Sequence, residues 1–282
     1  MEVITSPFRM AEWSAERRRK GHRIGFVPTM GALHEGHLEL VNQARRNADS
    51  VVASIFVNPL QFNDPNDFKA YPSRPEEDRE ALERTGCDAL FLPLRDELFS
   101  GFTPKHYDLG SLDTHWEGPN RPGHFQGMVN VVERLFHFTR PDFACFGQKD
   151  WQQLAIIQWV TKHMRWPVEI MPCPTVRESD GLALSSRNLR LSPEERSKAP
   201  VLHRALTELA QTAFDLSLAD SLEVGRRVIA TEPSLELEYL GIADPETLEP
   251  LEHWPNGGTA IALVAARLGA IRLIDNLRLE RH

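Results

Sequence analysis

The sequence has few cysteines and no long apolar run, and these two absences exclude several classes of protein. Its 282 residues include only three cysteines, Cys87, Cys145 and Cys173, and no Cys-x-x-Cys pair. Such a set argues against a disulfide framework or a zinc knuckle and is typical of a reducing compartment. No window approaches the roughly 18 consecutive apolar residues of a membrane span. The N-terminal residues also lack a basic stretch followed by an apolar one, so we expect a soluble, cytoplasmic protein.

Positive charge is scarce as well. Lys and Arg number 32 against 40 Asp and Glu, which gives a net charge of −8. Nucleic-acid binding draws much of its affinity from clustered basic residues, so neither a nucleic acid nor a membrane is an expected partner. The one basic run, residues 17–20, fits a solvated helix end before Gly21. A hydrophobic fraction of 41% and a charged fraction of 26% are those of a globular protein with one large or two ordinary domains.

Two common phosphate-binding motifs are missing. There is no Gly-x-x-x-x-Gly-Lys-Ser/Thr loop, which excludes the P-loop way of holding ATP, and no convincing Gly-x-Gly-x-x-Gly dinucleotide fingerprint. Internal repeats and low-complexity tracts are absent too. Any nucleotide site must therefore be built from other groups.

Hydrophobic patterns that are present predict alternating strands and helices in the first two thirds of the chain. Strands are predicted at 24–27, 50–57, 88–93, 143–146 and 168–171, and helices at 12–20, 38–47, 76–85, 127–138 and 151–164. Alternation at this spacing predicts βαβ units and a doubly wound parallel sheet. Two helices within 193–230 and strands at 235–242, 258–266 and 270–274 predict a smaller α+β domain, with a boundary near residue 175. Residues 95–122 form a long irregular segment of the kind that serves as a lid, a binding loop or an interface.

The stretch GFVPTMGALHEGH, residues 25–37, is the most informative part of the sequence. An apolar strand enters a loop broken by proline and glycine, and a helix begins near Gly36. His34 and His37 are three residues apart, so both can point at one ligand at the helix start. Backbone N–H groups of the first turn and the helix dipole favour an anion there. This pattern predicts a phosphate site; the alternative is a plain strand–helix connection with two surface histidines.

A second polar stretch, GQKDWQQ at residues 147–153, follows a predicted strand. Lys149 can place its ammonium group against a phosphate as the chain enters a helix. Gln153 lies one turn further on and carries both donor and acceptor groups. The alternative for Asp150 is a simple helix cap.

Two more stretches could contribute to the same ligand. Ser185, Ser186 and Arg187 place two hydroxyl groups beside a guanidinium, which suits phosphate oxygens. The alternative is an ordinary Ser-Ser-Arg-Asn turn. Gln61 follows the strand that ends at residue 57 and could bind an uncharged part of a substrate. Together the histidines, Lys149 and the Ser-Ser-Arg sequence predict a ligand that bears a triphosphate.

Several of these stretches resemble the pantothenate synthetase family. The similar motifs are PTMGALHEGH at 28–37, FVNPLQF at 56–62, RPGHF at 121–125, CFGQKDWQQ at 145–153 and residues 180–188, with a weaker match at 244–248. The family is part of the His-x-Gly-His nucleotidyltransferase superfamily. The resemblance implies a ligase that condenses pantoate with β-alanine through a pantoyl adenylate, uses ATP and Mg²⁺, and releases AMP and pyrophosphate. It also implies a homodimer with a Rossmann-like ATP- and pantoate-binding domain (1–175) and a C-terminal lid domain (176–282).

The resemblance also implies roles for individual residues. His37 would act as a proton donor, Gln61 would contact pantoate and β-alanine, and Gln153 would contact pantoate. His34, Lys149, Ser185 and Arg187 join His37 as expected catalytic residues. The expected ATP-binding residues are Met30, Gly31, Ala32, Leu33, His34, Glu35, Gly36, His37, Gly147, Gln148, Lys149, Asp150, Val176, Leu184, Ser185, Ser186 and Arg187. No protein ligand for a metal is expected.

Some positions depart from the family pattern. Gln148 stands where glutamate is usual, Leu184 where methionine is usual and Gln126 where arginine is common. Asn63 and Asp64 replace a glycine-containing turn, which affects the loop that carries Gln61. None of these changes removes a group with an expected chemical role.

Rival interpretations concern the acceptor and the activity. Another small-molecule adenylyltransferase of the same superfamily, such as a phosphopantetheine or nicotinamide-mononucleotide adenylyltransferase, would transfer AMP to a phosphate instead of a carboxylate. An aminoacyl-tRNA synthetase is disfavoured by the short chain and the acidic balance. A catalytically silent nucleotide-binding regulator has no support in the sequence, because the charged residues of every motif are present.

Overall fold

The computed structural model describes residues 1–58 and 68–281. The chain divides into two compact units. The first consists of Met1–Leu109, Arg121–Gln148 and Ile156–Pro174, and the second of Gly110–Asn120, Lys149–Ala155 and Thr175–His282. The second unit thus includes two short segments that precede its main part in the sequence.

A six-stranded parallel sheet forms the centre of the first unit, with strand order β1-β4-β3-β2-β5-β6. The strands are β1 (Glu2–Ile4), β2 (Ile24–Thr29), β3 (Ser50–Ile55), β4 (Ala89–Phe91), β5 (Phe143–Gly147) and β6 (Glu169–Cys173). From β2 the chain moves outward through β3 to β4, and it returns to β5 on the other side of β2. The boundary between β2 and β5 is therefore the topological switch point, where open α/β sheets bind ligands at the carboxyl ends of their strands.

Helices pack on this sheet in two pairs, α1 on α6 and α2 on α3. The helices that begin in the first unit are α1 (Pro7–Arg19), α2 (Glu35–Asn47), α3 (Pro75–Thr85), α4 (Arg95–Leu98) and α6 (His124–Thr139). One buried cluster joins helices α2 and α3 to the strands; its members are Val27, Leu40, Val41, Ala44, Val51, Ala53, Leu82, Cys87, Leu90, Phe143, Cys145 and Cys173. All three cysteines are buried free thiols.

The second unit contains a three-stranded antiparallel sheet in the order β7-β8-β9. Its strands are β7 (Leu235–Ala243), β8 (Thr259–Leu268) and β9 (Ile271–Glu280), and its helices are α5 (Glu117–Asn120), α8 (Pro193–Lys198), α9 (Val201–Thr212) and α10 (Leu218–Ala230). Helix α7 (Trp151–His163) begins in this unit and ends in the first. Buried residues of α9, such as Leu206 and Leu209, pack with Ala262 and Val264 of β8 into a separate core.

Helix α5 is tied to this small sheet by a buried ion pair. Glu117 accepts two hydrogen bonds from Arg272 of β9, at 2.6 and 2.7 Å, and one from the hydroxyl of Tyr239 on β7, at 2.7 Å. Its side chain is only 8% exposed. A buried carboxylate requires such partners, so segment 110–120 is anchored to strands far away in the sequence.

The predicted fold class is confirmed, with a few differences in detail. Strand β1 was not predicted, because three residues carry too little pattern. Helix α1 begins at Pro7, five residues earlier than expected, and 193–230 contains three helices instead of two. The segment 95–122 includes the short helices α4 and α5. None of the described helices is long and apolar enough to span a membrane.

Candidate active site

The loop between β2 and α2 carries the first group of predicted site residues. The hydroxyl of Thr29 donates to the carbonyl of Ser54 on β3 at 2.8 Å and accepts the N–H of Gly31 at 3.2 Å. Gly31 has φ +82°, and a Cβ at this position would lie 3.0 Å from Ile55 Cγ2 and 3.1 Å from Asp78 Oδ2. The tight turn after Met30 therefore needs glycine both for its backbone conformation and for space.

Asp78 of helix α3 holds this loop by accepting hydrogen bonds from its backbone. Its Oδ2 accepts the N–H of Ala32 at 2.8 Å and its Oδ1 accepts the N–H of Leu33 at 2.7 Å, while the residue is only 3% exposed. Burial raises the pKa of Asp78 above its ordinary value, and the two backbone donors oppose that shift. Ala32 has the unusual φ of +49°, so the carboxylate stabilises a backbone shape that alanine rarely adopts.

The two predicted histidines lie together at the start of helix α2. His34 is the N-cap and His37 the third helical residue, with Glu35 and Gly36 between them. Their ring centroids are 4.0 Å apart, and the N–H of His34 donates to His37 Nδ1 over a long 3.4 Å. Because Nδ1 accepts, a neutral His37 carries its proton on Nε2. A ligand at the helix start would thus find both imidazoles and the positive end of the helix dipole.

The loop after β5 begins at the same edge of the sheet. Strand β5 runs parallel to β2, with Gly25 opposite Phe143 and Phe26 opposite Ala144. Gly147 is the last residue of β5, and Gln148 opens a 3₁₀ helix, Gln148–Asp150. Carboxyl ends of neighbouring parallel strands lie side by side, so residues 147–148 and the histidine loop flank the switch point of the first unit.

Lys149 belongs to the second unit, and its backbone is held in place by a hydrogen bond. Its carbonyl accepts a hydrogen bond from Nδ2 of Asn276 on β9 at 2.8 Å. Asp150, the next residue, is exposed.

Gln153 lies in the first turn of α7, beside the fully engaged amide of Gln152. Gln152 Oε1 accepts the N–H of Glu117 at 2.9 Å, and its Nε2 donates to the carbonyls of Leu112 and His115 at 2.6 and 3.0 Å. The start of this helix is thereby held to segment 110–120 within the second unit.

Residues 176–184 form a tight hairpin, which brings Val176 and Leu184 together. The N–H of Leu184 donates to the carbonyl of Val176 at 3.0 Å, and Arg177 forms a bridge with Ala183. Gly181 turns the chain with φ +92°, and a Cβ there would come within 2.3 Å of the ring of His203.

The Ser-Ser-Arg sequence follows the hairpin as a short 3₁₀ helix, Ser186–Arg190. Ser185 caps it, since its Oγ accepts the N–H of Arg187 at 3.3 Å. The side chain of Asn188 donates to the carbonyl of Ala183 at 3.0 Å and closes the loop onto the hairpin. Ser186 is buried and Arg187 half-buried. Val176 and residues 184–187 thus form one local structure.

The predicted site residues therefore fall into two groups. The first unit brings Met30–His37 and residues 147–148 to one sheet edge, and the second unit contains Lys149, Asp150, Gln153, Val176 and residues 184–187. Gln61 lies outside the described residues. The convergence of His37, Lys149 and Arg187 on one triphosphate stays a prediction. Within residues 1–58 and 68–281, no three His, Cys, Asp or Glu side chains come together to hold a metal ion.

Comparison with known proteins places the chain in a family. The family model described as pantoate-beta-alanine ligase matches residues 2–278. A pantothenate synthetase from Thermus thermophilus is 48% identical over 270 residues, which cover 95% of this chain and 96% of that protein. The chain belongs to the pantoate–β-alanine ligase family.

Solved structures of family members have the same fold. The crystal structure of pantothenate synthetase from Thermus thermophilus aligns with a TM-score of 0.91 at 47% identity, covering 98% of this chain and 99% of that one. A pantoate–β-alanine ligase from Francisella tularensis, complexed with beta-gamma ATP and beta-alanine, aligns with a TM-score of 0.80 at 32% identity, covering 98% and 97%. The resemblance read from the motifs is thus confirmed, together with the Rossmann-like fold and the assignment as a ligase.

Sequence reasoning missed several residues that hold the family's motifs in place. Asp78 and Asn276 make the contacts described above, yet neither stands in a recognisable motif. Gln152 lies within the motif of residues 145–153, but no role was expected for it. Asp78 is read from the sequence as one acid among several in the first turn of a helix, a common position near the positive helix end. Only the pairing of distant segments identifies these residues.

Proposed function

We propose that this chain condenses pantoate with β-alanine to give pantothenate at the expense of ATP, which is cleaved to AMP and pyrophosphate. The observation that carries the proposal is the close pair of His34 and His37 rings, whose centroids are 4.0 Å apart, at the start of α2 and at the switch point of the sheet. Asp78 holds the loop just before this pair through the N–H groups of Ala32 and Leu33. Family membership supplies the substrates. The alternative is another small-molecule adenylyltransferase of the His-x-Gly-His superfamily. No specific observation favours it.

The first step activates the carboxylate. Hydroxide is a poor leaving group, so a carboxylate and an amine do not condense directly in water. An oxygen of the pantoate carboxylate attacks the α-phosphorus of ATP, the bond to the β-phosphate bridging oxygen breaks, and pyrophosphate leaves. The product, pantoyl adenylate, is a mixed anhydride whose acyl carbon is open to attack.

Both reactants of this step are anions, so the site must supply donors where negative charge develops. In the proposal, Nε2–H of His37 donates to an oxygen of the departing pyrophosphate, and His34 and the backbone N–H groups of the first turn bind phosphate oxygens. Lys149, Ser185 and Arg187 are the other proposed catalytic residues, since their side chains carry N–H or O–H groups that can donate to phosphate.

The remaining residues that the family resemblance assigns to ATP complete the ATP site in the proposal. They are Met30, Gly31, Ala32, Leu33, Glu35, Gly36, Gly147, Gln148, Asp150, Val176, Leu184 and Ser186. Gln61 and Gln153 are proposed to contact the small substrates through their amide groups, Gln61 both pantoate and β-alanine and Gln153 pantoate.

The second step forms the amide bond. The unprotonated amine of β-alanine attacks the acyl carbon of pantoyl adenylate, AMP leaves with the electron pair of the broken C–O bond, and the ammonium loses a proton. Correct alignment of amine and acyl carbon is worth about 7–11 kcal/mol in well-oriented systems. Water must be kept away, because the adenylate is hydrolysable.

Mg²⁺ enters the proposal with ATP, as part of the substrate. Mg²⁺ prefers oxygen ligands and keeps several of its waters, so phosphate oxygens and water are proposed to hold the ion. When bound, Mg²⁺ neutralises charge on the pyrophosphate.

Three broader proposals follow from the family and the sequence. We place the chain in the cytoplasm, supported by three free buried thiols. We propose a homodimer, which light scattering after size exclusion would test by giving twice the 32.0 kDa chain mass. We keep residues 1–175 as the ATP- and pantoate-binding domain and 176–282 as a lid.

The decisive experiment is incubation with ATP, Mg²⁺, pantoate and β-alanine, with assays for pantothenate and AMP. Equal amounts of both products are expected. Pyrophosphate exchange into ATP should require pantoate. Labelled pyrophosphate enters ATP only when it attacks pantoyl adenylate, and this adenylate forms only from pantoate. Exchange driven by a phosphate-bearing acceptor would favour a rival adenylyltransferase, and ATP binding without AMP release would favour a silent regulator.

A further inference from the structure

Strand β9 contains two adjacent polar residues in the core of the second unit. Its residues Ile271, Leu273 and Leu279 alternate along the buried face and are at most 5% exposed. Asp275 occupies the same face at 6% exposure, and Asn276 beside it is also 6% exposed. A buried carboxylate at a position that otherwise takes an apolar side chain costs stability unless it is paired.

Asp275 is paired with the hairpin that leads to the Ser-Ser-Arg sequence. Its two carboxylate oxygens accept both terminal nitrogens of Arg177, at 2.7 and 2.9 Å. Arg177 also donates to the carbonyls of Asn276 and Gly181, at 3.2 and 3.0 Å. A bidentate guanidinium–carboxylate pair fixes direction as well as distance, so the hairpin has one orientation on β9.

Asn276 reaches a second segment. Its Nδ2 donates to the carbonyl of Lys149 at 2.8 Å, across 127 residues of sequence. Its own N–H donates to Asp275 Oδ1 at 2.8 Å, which joins the two contacts into one network. Asn276 on β9 thus holds the backbone of Lys149 in place.

We propose that Asp275 and Asn276 are positioning residues for ATP, which hold Lys149 and the Leu184–Arg187 segment in one fixed relation. This inference rests on the proposed function, since it assigns both segments to the phosphates. Neither residue touches the substrate in the proposal; each acts through a group it holds. The network joins two segments that are far apart in sequence but must present their cations and hydroxyl groups to one anion.

The main test is Asn276→Ala, which removes the donor to Lys149 and leaves the Arg177–Asp275 pair in place. Misplacement of a catalytic group by about 1 Å can cost about 100-fold in rate. We expect a fall of about 10- to 100-fold in kcat/KM for ATP and in pantoate-dependent pyrophosphate exchange, and a weaker Kd for ATP in calorimetry. Conversion of supplied pantoyl adenylate and β-alanine should stay within about twofold of wild type, because that step no longer needs the pyrophosphate-binding groups.

Ser221→Ala provides the matched control. Ser221 is fully buried in the same unit, and its hydroxyl donates to the carbonyl of Thr212 at 3.1 Å. The Ser221→Ala variant also loses one buried hydrogen bond, so it should lower Tm as Asn276→Ala does, but it should leave the ATP kinetics unchanged. A purely structural role for Asn276 would give the same pattern as Ser221→Ala, or equal losses in both half-reactions, and either result would overturn the proposal.

Arg177→Lys keeps the positive charge beside Asp275 but loses the two parallel hydrogen bonds of the guanidinium group. This variant is the second test if Asn276→Ala does not fold. It should weaken ATP in the same way, and unchanged ATP affinity in a folded Arg177→Lys variant would also refute the proposal. ATP affinity needs no turnover, so these measurements stand apart from the proposed function. A wild-type chain that binds ATP but makes no pantothenate would refute only the latter.

Discussion

The proton on His37 decides what this residue can do for the departing pyrophosphate. Its Nδ1 accepts the N–H of His34, so a neutral ring carries its proton on Nε2 and can donate from there. A donor aimed at developing charge and held in place before the reaction lowers the barrier because little reorganisation is needed. The backbone of Lys149 is held in a comparable way by Asn276.

Replacing His37 or Lys149 with alanine should slow adenylation by about 10²- to 10⁴-fold, the range for loss of one proton-transferring or charge-stabilising group. Single-turnover formation of pantoyl adenylate measures this step directly. His253→Ala, which removes an exposed histidine, is the control and should be neutral. Near-normal adenylation in His37→Ala would show that its ring is only part of the helix cap.

Asp78 should affect activity although it is not proposed to contact ATP. Asp78→Asn keeps the shape but places an NH₂ group against a backbone N–H of Ala32 or Leu33, so one buried donor loses its acceptor. We expect a loss of about 1–3 kcal/mol in the free energy of unfolding. The histidine loop should shift with it and lower pyrophosphate exchange by about 10- to 100-fold.

Urea unfolding and the exchange assay together test the Asp78 prediction. Glu80→Gln changes an exposed acid on the same helix, whose nearest basic partner lies 3.8 Å away, and should affect neither measurement. Wild-type exchange by Asp78→Asn would mean that the loop keeps its shape without the carboxylate.

At the level of elements, the sequence predicted well those parts whose pattern is local. Strand β3 was recognisable because SVVASI is nearly continuous and apolar, as a strand buried between two neighbours must be. The start of α8 has an equally local pattern: Ser192 Oγ accepts the N–H of Glu195 at 3.2 Å, and Glu195 Oε2 accepts the N–H of Ser192 at 2.8 Å. Such capping boxes are closed within four residues.

Elements and site residues that depend on distant partners could not be predicted. Strand β1 has only three residues and forms through its pairing with β4, more than 80 positions along the chain. Asp78 meets the histidine loop across 45 and 46 residues. The chemistry of His34, His37 and Lys149 follows from residue type and local spacing, whereas their orientation depends on acids and amides that no local motif marks.

The hairpin of residues 176–184 carries a pH-sensitive neighbour, His203 of α9. Burial holds the pKa of His203 below its ordinary value of 6.5, and the nearby Arg177 guanidinium lowers the pKa further, while Asp275 acts in the opposite direction. Its ring lies directly beneath Gly181. Protonation would place a second positive charge beside Arg177, so the folded state resists it.

The stability of the second unit should therefore fall as the pH drops below about 6.5, because the unfolded chain then binds a proton that the folded chain does not. Above that pH the effect vanishes. His203→Gln cannot take up this proton, so its Tm should decrease less than that of wild type between pH 7.5 and 5.5. A difference of about 1 kcal/mol would move Tm by about 2–4 °C, within reach of calorimetry. His253→Gln is the control, and parallel curves for all three proteins would exclude His203 as the source.

For the whole molecule, the proposed ATP contacts come from both compact units. Of the residues proposed for ATP, His34, His37 and Gly147 belong to the first unit, and Lys149 and residues 184–187 belong to the second. A ligand that binds groups on both units favours the arrangement in which it contacts all of them. It can shift the equilibrium towards that arrangement by at most the difference between its binding free energies for the two arrangements. ATP should therefore select a state that differs from the ligand-free ensemble, with the C-terminal domain acting as the lid.

Small-angle scattering with and without a non-hydrolysable ATP analogue tests this prediction. We expect the analogue to reduce the radius of gyration and narrow the distribution of distances, since closure also removes water from the adenylate. Arg187→Ala should weaken the response at a given analogue concentration, because the lid would lose a charged contact to phosphate. Identical scattering curves at saturating analogue would exclude a lid movement and imply that ATP enters an arrangement already formed.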